Sequence, residues 1–137
     1  MDPITPEGFF ADSPHGLAVY RHVLDIVTRA RTGVTVSVTR SQVAFRRRRG
    51  FAYLWRPGQY LRNPAAEVVL SIALQREIAS ARFKQVAHPA PAVWMHHLEI
   101  RSVDDLDHEV QDWLLEAADL AGAARPDPRK ATRLETG

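Results

Sequence analysis

Between Ile26 and Ala66 the chain carries nine arginines and no acidic residue: Arg29, Arg31, Arg40, Arg46, Arg47, Arg48, Arg49, Arg56 and Arg62. Phe45, Phe51, Tyr53, Trp55 and Tyr60 are interleaved with them. A planar guanidinium grips carboxylates and phosphates through two parallel hydrogen bonds, and aromatic rings beside it can stack on bases. The chemistry to expect is therefore recognition of an anion, a small one or a nucleic acid. A bland reading competes with it. The arginines would then solvate a hairpin tip, guard an edge strand and pair with the acidic C-terminal helix, while Phe51, Tyr53 and Trp55 form the buried face of a strand. Coding bias is a further bland source, because only Lys84 and Lys130 are lysines among 18 basic residues.

Thr39-Arg40-Ser41 is the second candidate. Here the apolar alternation slips by one residue, and a bulge at such a slip re-aims side chains. Arg40 would clamp a carboxylate or phosphate while Thr39 and Ser41 add hydroxyl donors. An ordinary bulge that satisfies its own backbone is the alternative. The third candidate is histidine. His96 and His97 are adjacent and so point to opposite faces of a strand. His97 shares its face with Glu99, and His88 is the next imidazole along the chain. None of this has metal-ligand spacing, and His96 falls on an apolar face where a hydrogen-bonded core histidine is the default. No metal site, cofactor or catalytic residue is expected. Glycine-rich phosphate loops, nucleophile elbows and metalloprotease helices are all missing from the sequence.

Composition agrees with an ordinary globular domain. The chain has 137 residues, 45% hydrophobic and 25% charged, with a formal net charge of +2. It contains no cysteine, which excludes disulfides, thiolate metal sites and a cysteine nucleophile and fits a cytoplasmic setting. The first residues lack the basic-then-apolar pattern of a signal peptide, and no apolar run is long enough to span a membrane.

The elements that must position these groups follow from spacing. Residues 1–12 read as an irregular lead-in that Phe9 and Phe10 dock onto the body. Ser13-Pro14 starts a helix with Leu17, Tyr20, Leu24 and Val27 at helical intervals, ended by Gly33. Val34, Val36 and Val38 alternate as a strand, Val43 and Phe45 resume it after the slip, and Phe51 to Trp55 form its partner. Arg56-Pro57-Gly58-Gln59 suits a type II turn. Residues 60–66 make a connection, Val68 to Leu74 a strand, 79–92 a loop and Trp94 to Arg101 a further strand. Ser102 and Asp105 form a capping box for a final helix with Val103, Leu106, Val110, Trp113, Leu114, Ala117 and Leu120 on one stripe. Residues 123–137 are expected to be disordered. The fold class is α+β: an antiparallel sheet of about four to five strands with an N-terminal and a C-terminal helix on one face, forming a single domain over 13–122.

Several short stretches resemble an uncharacterised bacterial family, one of the groups defined as domains of unknown function. They are Thr39-Arg40-Ser41-Gln42-Val43-Ala44-Phe45, Arg49-Gly50-Phe51-Ala52, Arg82-Phe83, Trp94-Met95-His96-His97-Leu98-Glu99, and Asp105-Leu106-Asp107 ahead of Trp113-Leu114. The likeness runs over residues 34 to 121. Arg40 stands where the family pattern has lysine. A looser likeness is to the YdhG-like group of small α+β proteins. The resemblance implies a compact α+β domain, sometimes attached to other modules, and carries no activity across.

Together these observations favour a non-catalytic binding or accessory domain for an anionic small ligand, with Thr39, Arg40, Ser41, Arg48 and His97 as the ligand-binding residues. The alternatives are a nucleic-acid-binding accessory domain, a small enzyme using His97 as acid or base, and a homo-oligomeric interaction module using an open sheet edge.

Overall fold

The computed structural model describes residues 4–59 and 66–124. Its elements run α1 (Pro6–Phe9), α2 (Pro14–Ala30), β1 (Thr35–Val38), β2 (Val43–Arg46), β3 (Gly50–Trp55), β4 (Val68–Leu74), β5 (Gln85–Ala90), β6 (Val93–Ile100) and α3 (His108–Gly122). All six strands belong to one antiparallel sheet in the order β1-β2-β3-β4-β6-β5. The fold is α+β with helices at both ends, and the sheet has six strands where four to five were expected.

The strand not foreseen at all is β5. It lies inside the stretch read as a loop, hidden by Pro89 and Pro91. Proline cannot donate to a ladder and is tolerated at a sheet edge, where β5 sits. Its pairing with β6 shifts register between Ala87 and Ala90.

The slip after Val38 is a hairpin turn, not a bulge within one strand. Val38 pairs with Val43, and Thr39 N–H donates to Gln42 O at 2.9 Å. No residue of this turn has positive φ, so the usual glycine or asparagine signal is missing. Thr39 Oγ1 instead accepts from the amides of Ser41 and Gln42, both at 3.3 Å. A threonine hydroxyl thus does what a turn carbonyl does elsewhere.

Register then decides which side chains enter the core. Val43 and Phe45 face Leu54 and Ala52, which face Leu70 and Ile72, which face Leu98 and His96. Every one of these is buried. Val19, Tyr20, Val23 and Val27 of α2 and Val110, Trp113, Leu114 and Ala117 of α3 join the same cluster, and the Tyr20 ring stacks on Phe45. Both long helices therefore cover one face. Tyr53 and Trp55 point to the other face, contrary to the expectation of a buried Phe51-Tyr53-Trp55 stripe. Only Phe51, at the register shift between Phe45 and Arg46, is buried.

Caps explain the ends of the helices. Ser13 accepts from Gly16 N–H, with Pro14 opening α2. Gly33, at φ +74°, turns the chain from α2 into β1. The Ser102–Asp105 capping box is present, but on a single 3-10 turn, Val103–Asp105; α3 starts later, with Asp107 accepting from Val110 N–H. Residues Pro57–Gln59 form another 3-10 turn in place of a type II turn, since Gly58 does not have positive φ. The lead-in is partly helical, and both Phe9 and Phe10 are buried. The connection at 60–65 and the tail from 125 onward lie outside the described residues.

Candidate functional site

On the face away from the helices, Tyr53 and Trp55 of β3, Ser71 of β4, and Met95 and His97 of β6 lie side by side in the ladder. With Ser41 and Gln42 from the β1–β2 turn they line a cleft of about 400 Å³. That is within the size range of small-molecule sites. Its lining combines Tyr53, Trp55 and Met95 with the polar Ser41, Gln42, Ser71 and His97, and no carboxylate is among the described residues that line it.

A hydrogen-bonded chain runs across the cleft floor. Trp55 Nε1–H donates to Ser71 Oγ at 2.9 Å, and Ser71 Oγ lies 2.6 Å from His97 Nδ1. Indole nitrogen only donates, so Ser71 Oγ is the acceptor there. Toward His97 Nδ1 it either donates its own hydrogen, which places the imidazole hydrogen on Nε2, or accepts a second one, according to the histidine tautomer. Burial holds His97 below the usual histidine range, and the nearby His96 and Lys84 push it the same way. At neutral pH the ring is an uncharged donor. Its T-shaped contact with Trp55, 6.1 Å between centroids, fixes its plane.

Tyr53 forms the far wall. A side chain at Gly50 would collide with the Tyr53 hydroxyl and ring. The phenol therefore lies back over the glycine, in space that only a residue without Cβ leaves open.

His96 takes no part in the cleft. It is fully buried, accepts at Nε2 from Ile78 N–H at 3.0 Å, and approaches Trp94 O from Nδ1 at 3.1 Å. It is a satisfied core histidine. Among the described residues no group of three or more histidines and carboxylates is placed to hold a metal ion.

The five residues singled out from sequence separate into two places. Ser41 and His97 both line the cleft. Thr39 and Arg40 sit on the turn at its rim, where Thr39 is spent on the turn and Arg40 O accepts from Gln59 Nε2. Arg40 is exposed, and its guanidinium has no partner among the described residues. Arg48 lies at the other end of β2, a strand length of about 13 Å away. Its amide donates to Ala121 O at the C-terminus of α3.

Three guanidinium groups of the arginine block serve that helix end. Arg47 donates to Thr32 O and Ala118 O, both at 3.0 Å; Arg49 donates to Leu120 O; Arg31 chelates Asp119. Cationic donors here satisfy the orphan carbonyls of α3 and oppose its dipole. Arg56 pairs with Asp12, and Arg29 with Asp25. Besides Arg40, only Arg46 and Arg48 of the described arginines in the block have guanidinium groups without a partner among the described residues. Arg62 lies outside the described residues.

The sequence reading missed Ser71, Gln42 and Met95, and had Tyr53 and Trp55 only as aromatics interleaved with the arginines. Ser71 is the one polar residue in the Val68–Leu74 run and is 3% exposed, so a polar interruption of an apolar strand was the available signal. Over residues 7–121 the chain matches a family model described as a domain of unknown function, DUF5655. It belongs to that family. Comparison with curated proteins and with solved structures returned no match. In this DUF5655 domain no helix among the described residues is long and apolar enough to cross a membrane.

Proposed function

We propose that the domain is a non-catalytic binding module whose uncovered sheet face takes a small, ring-bearing anion. The observation that carries this reading is the cleft floor: an aromatic surface crossed by the Trp55–Ser71–His97 chain, in which Ser71 engages only Nδ1 of an uncharged imidazole. Trp55 and Met95 supply apolar area for a ring. His97 Nε2, which carries the ring hydrogen when Ser71 donates to Nδ1, and the Gln42 amide supply hydrogen bonds, and Arg40 beside Ser41 supplies charge. With no carboxylate in the lining, negative ligands are favoured over positive ones.

Two features weigh against acid–base or nucleophilic chemistry at the same place. The Ser71 hydroxyl is nearly buried and already accepts from Trp55, which lowers its nucleophilicity. Among the described residues no carboxylate orients His97 as a catalytic base.

The test uses 8-anilino-1-naphthalenesulfonate and benzoate as probe anions. The naphthalenesulfonate should bind the folded protein at one site, with a fluorescence rise that benzoate competes away. Trp55→Phe and His97→Ala should each weaken it several-fold while thermal unfolding stays cooperative. Binding that ignores both substitutions would overturn the reading.

A further inference from the structure

We propose that β1 is a self-pairing edge, through which two copies of the chain join their sheets in antiparallel fashion about a two-fold axis at Val36. The two edges of the sheet differ in kind. The β5 edge carries Lys84 beside it, Pro89 within it and an irregular register, each a device that discourages a new strand from docking. The β1 edge is Thr35-Val36-Ser37-Val38, regular throughout, without charge, proline or bulge. Its only protection is its short length.

The hydrogen-bond phase of β1 is set by its turn. Thr39 and Gln42 form a hydrogen-bonded pair. In an antiparallel ladder such pairs alternate, so Ser37 and Thr35 also bond toward β2. The backbone groups of Val34, Val36 and Val38 are left pointing outward. None of these three residues has a backbone partner on that side among the described residues.

A second copy satisfies this pattern with itself. Centring the axis on Val36 places Val36 opposite Val36, Val34 opposite Val38, and Thr35 opposite Ser37. All outward-pointing groups then find partners. Every cross-strand pair over 34–38 is small or β-branched, and Arg40 falls opposite Thr32 with no like charge facing it. Val34, Val36 and Val38 are each only partly buried in the single chain although packed against the core. Pairing would cover them, giving the association an apolar contribution besides its hydrogen bonds. Such an interface is isologous and closes at two.

The experiment is sedimentation equilibrium on the full chain with three sequences. The wild type should show a monomer–dimer equilibrium. Thr35→Lys/Ser37→Lys places lysine opposite lysine twice across the axis and should shift it to monomer; both side chains are exposed, so unfolding should stay cooperative. Thr35→Lys/Ser37→Glu keeps the same bulk but puts lysine opposite glutamate and should restore the dimer, which a different register would not do. Amide exchange at Val36 and Val38 should slow as wild-type concentration rises. A wild type that stays monomeric at millimolar concentration, or a dimer indifferent to the lysine pair, overturns the proposal.

Discussion

Ser71 Oγ stands 2.6 Å from His97 Nδ1, between neighbouring strands on the sheet face opposite the helices. Because Trp55 donates to the same oxygen, one hydroxyl holds both the indole and the imidazole. Ser71→Ala removes the acceptor of the first and the hydrogen-bond partner of the second. The expected cost is about 1–3 kcal/mol, the range for leaving buried polar groups without their partner. Urea unfolding checks it: the midpoint should fall with the slope unchanged.

The same histidine gives the stability a pH dependence. His97 titrates below its unfolded value because burial disfavours the charged ring. Between the two values the unfolded chain binds more protons than the folded one, so stability rises with pH there. The contribution is complete above about 6.5, the unfolded histidine value, and is lost as pH falls through the folded value. In His97→Gln, chemical denaturation between pH 5 and pH 7 should show a flatter dependence than wild type, whatever the absolute stability.

Tyr53 and Gly50 are coupled through space and not through a bond. In Gly50→Ala the new methyl would collide with the Tyr53 hydroxyl, so the phenol must shift off the backbone. Gly50→Ala should destabilise by about 1–2 kcal/mol, within the range for overpacking. In a Tyr53→Ala background most of that cost should disappear. A double-mutant cycle with no interaction energy would show that the ring does not rest there.

How far these relationships could be read from sequence depends on the kind of signal each leaves. Ser13-Pro14 and the valine alternation of β1 are local patterns that the structure keeps. Of the stripe expected from Val103 to Leu120, the part from Val110 onward lies on α3, while Val103 sits on the 3-10 turn and Leu106 follows it. The β1–β2 turn is built by the Thr39 side chain and so carried no glycine or asparagine to mark it. Missing the turn lost the strand count and the face of β3 together. Once Val38 pairs with Val43, the small residues Ala52 and Leu54 go inward and the large Tyr53 and Trp55 go outward, the reverse of a size-based guess. The cleft is less legible again. Trp55, Ser71 and His97 meet only because β3, β4 and β6 are neighbours, and strand order is not written in any one segment. The arginines are legible in part. Their pairing with the acidic C-terminal helix is expected from sequence and Arg31 meets Asp119 there, but that Arg47 and Arg49 also cap its backbone carbonyls is not written in any one segment.

That use makes a sharp contrast between neighbours. Arg47 is largely covered and donates to two backbone carbonyls, while Arg46 is exposed. Arg47→Gln should cost about 1.5–3 kcal/mol, as for hydrogen bonds from a charged donor, and Arg46→Gln should be neutral. Since the Arg47 bonds are short-range and partly shielded, the difference should persist in high salt, which thermal melts with added sodium chloride can show.

The last prediction separates a small-anion site from a polyanion surface. Arg40 and Arg48 are both exposed and carry the same charge, but they stand at opposite ends of β2. A ligand seated in the cleft reaches only Arg40, so Arg40→Ala should weaken naphthalenesulfonate binding several-fold and Arg48→Ala should leave it unchanged. A nucleic acid tracking the basic surface would meet both. Both variants would then weaken binding of a single-stranded oligonucleotide alike, and each would reduce the slope of log affinity against log salt by about 0.7, one phosphate contact's worth for a single strand. Titrating both variants with both probes at two salt concentrations distinguishes the cases. For the cleft, the expected result is an Arg40 effect confined to the small anion, with weak salt dependence and no steep oligonucleotide slope.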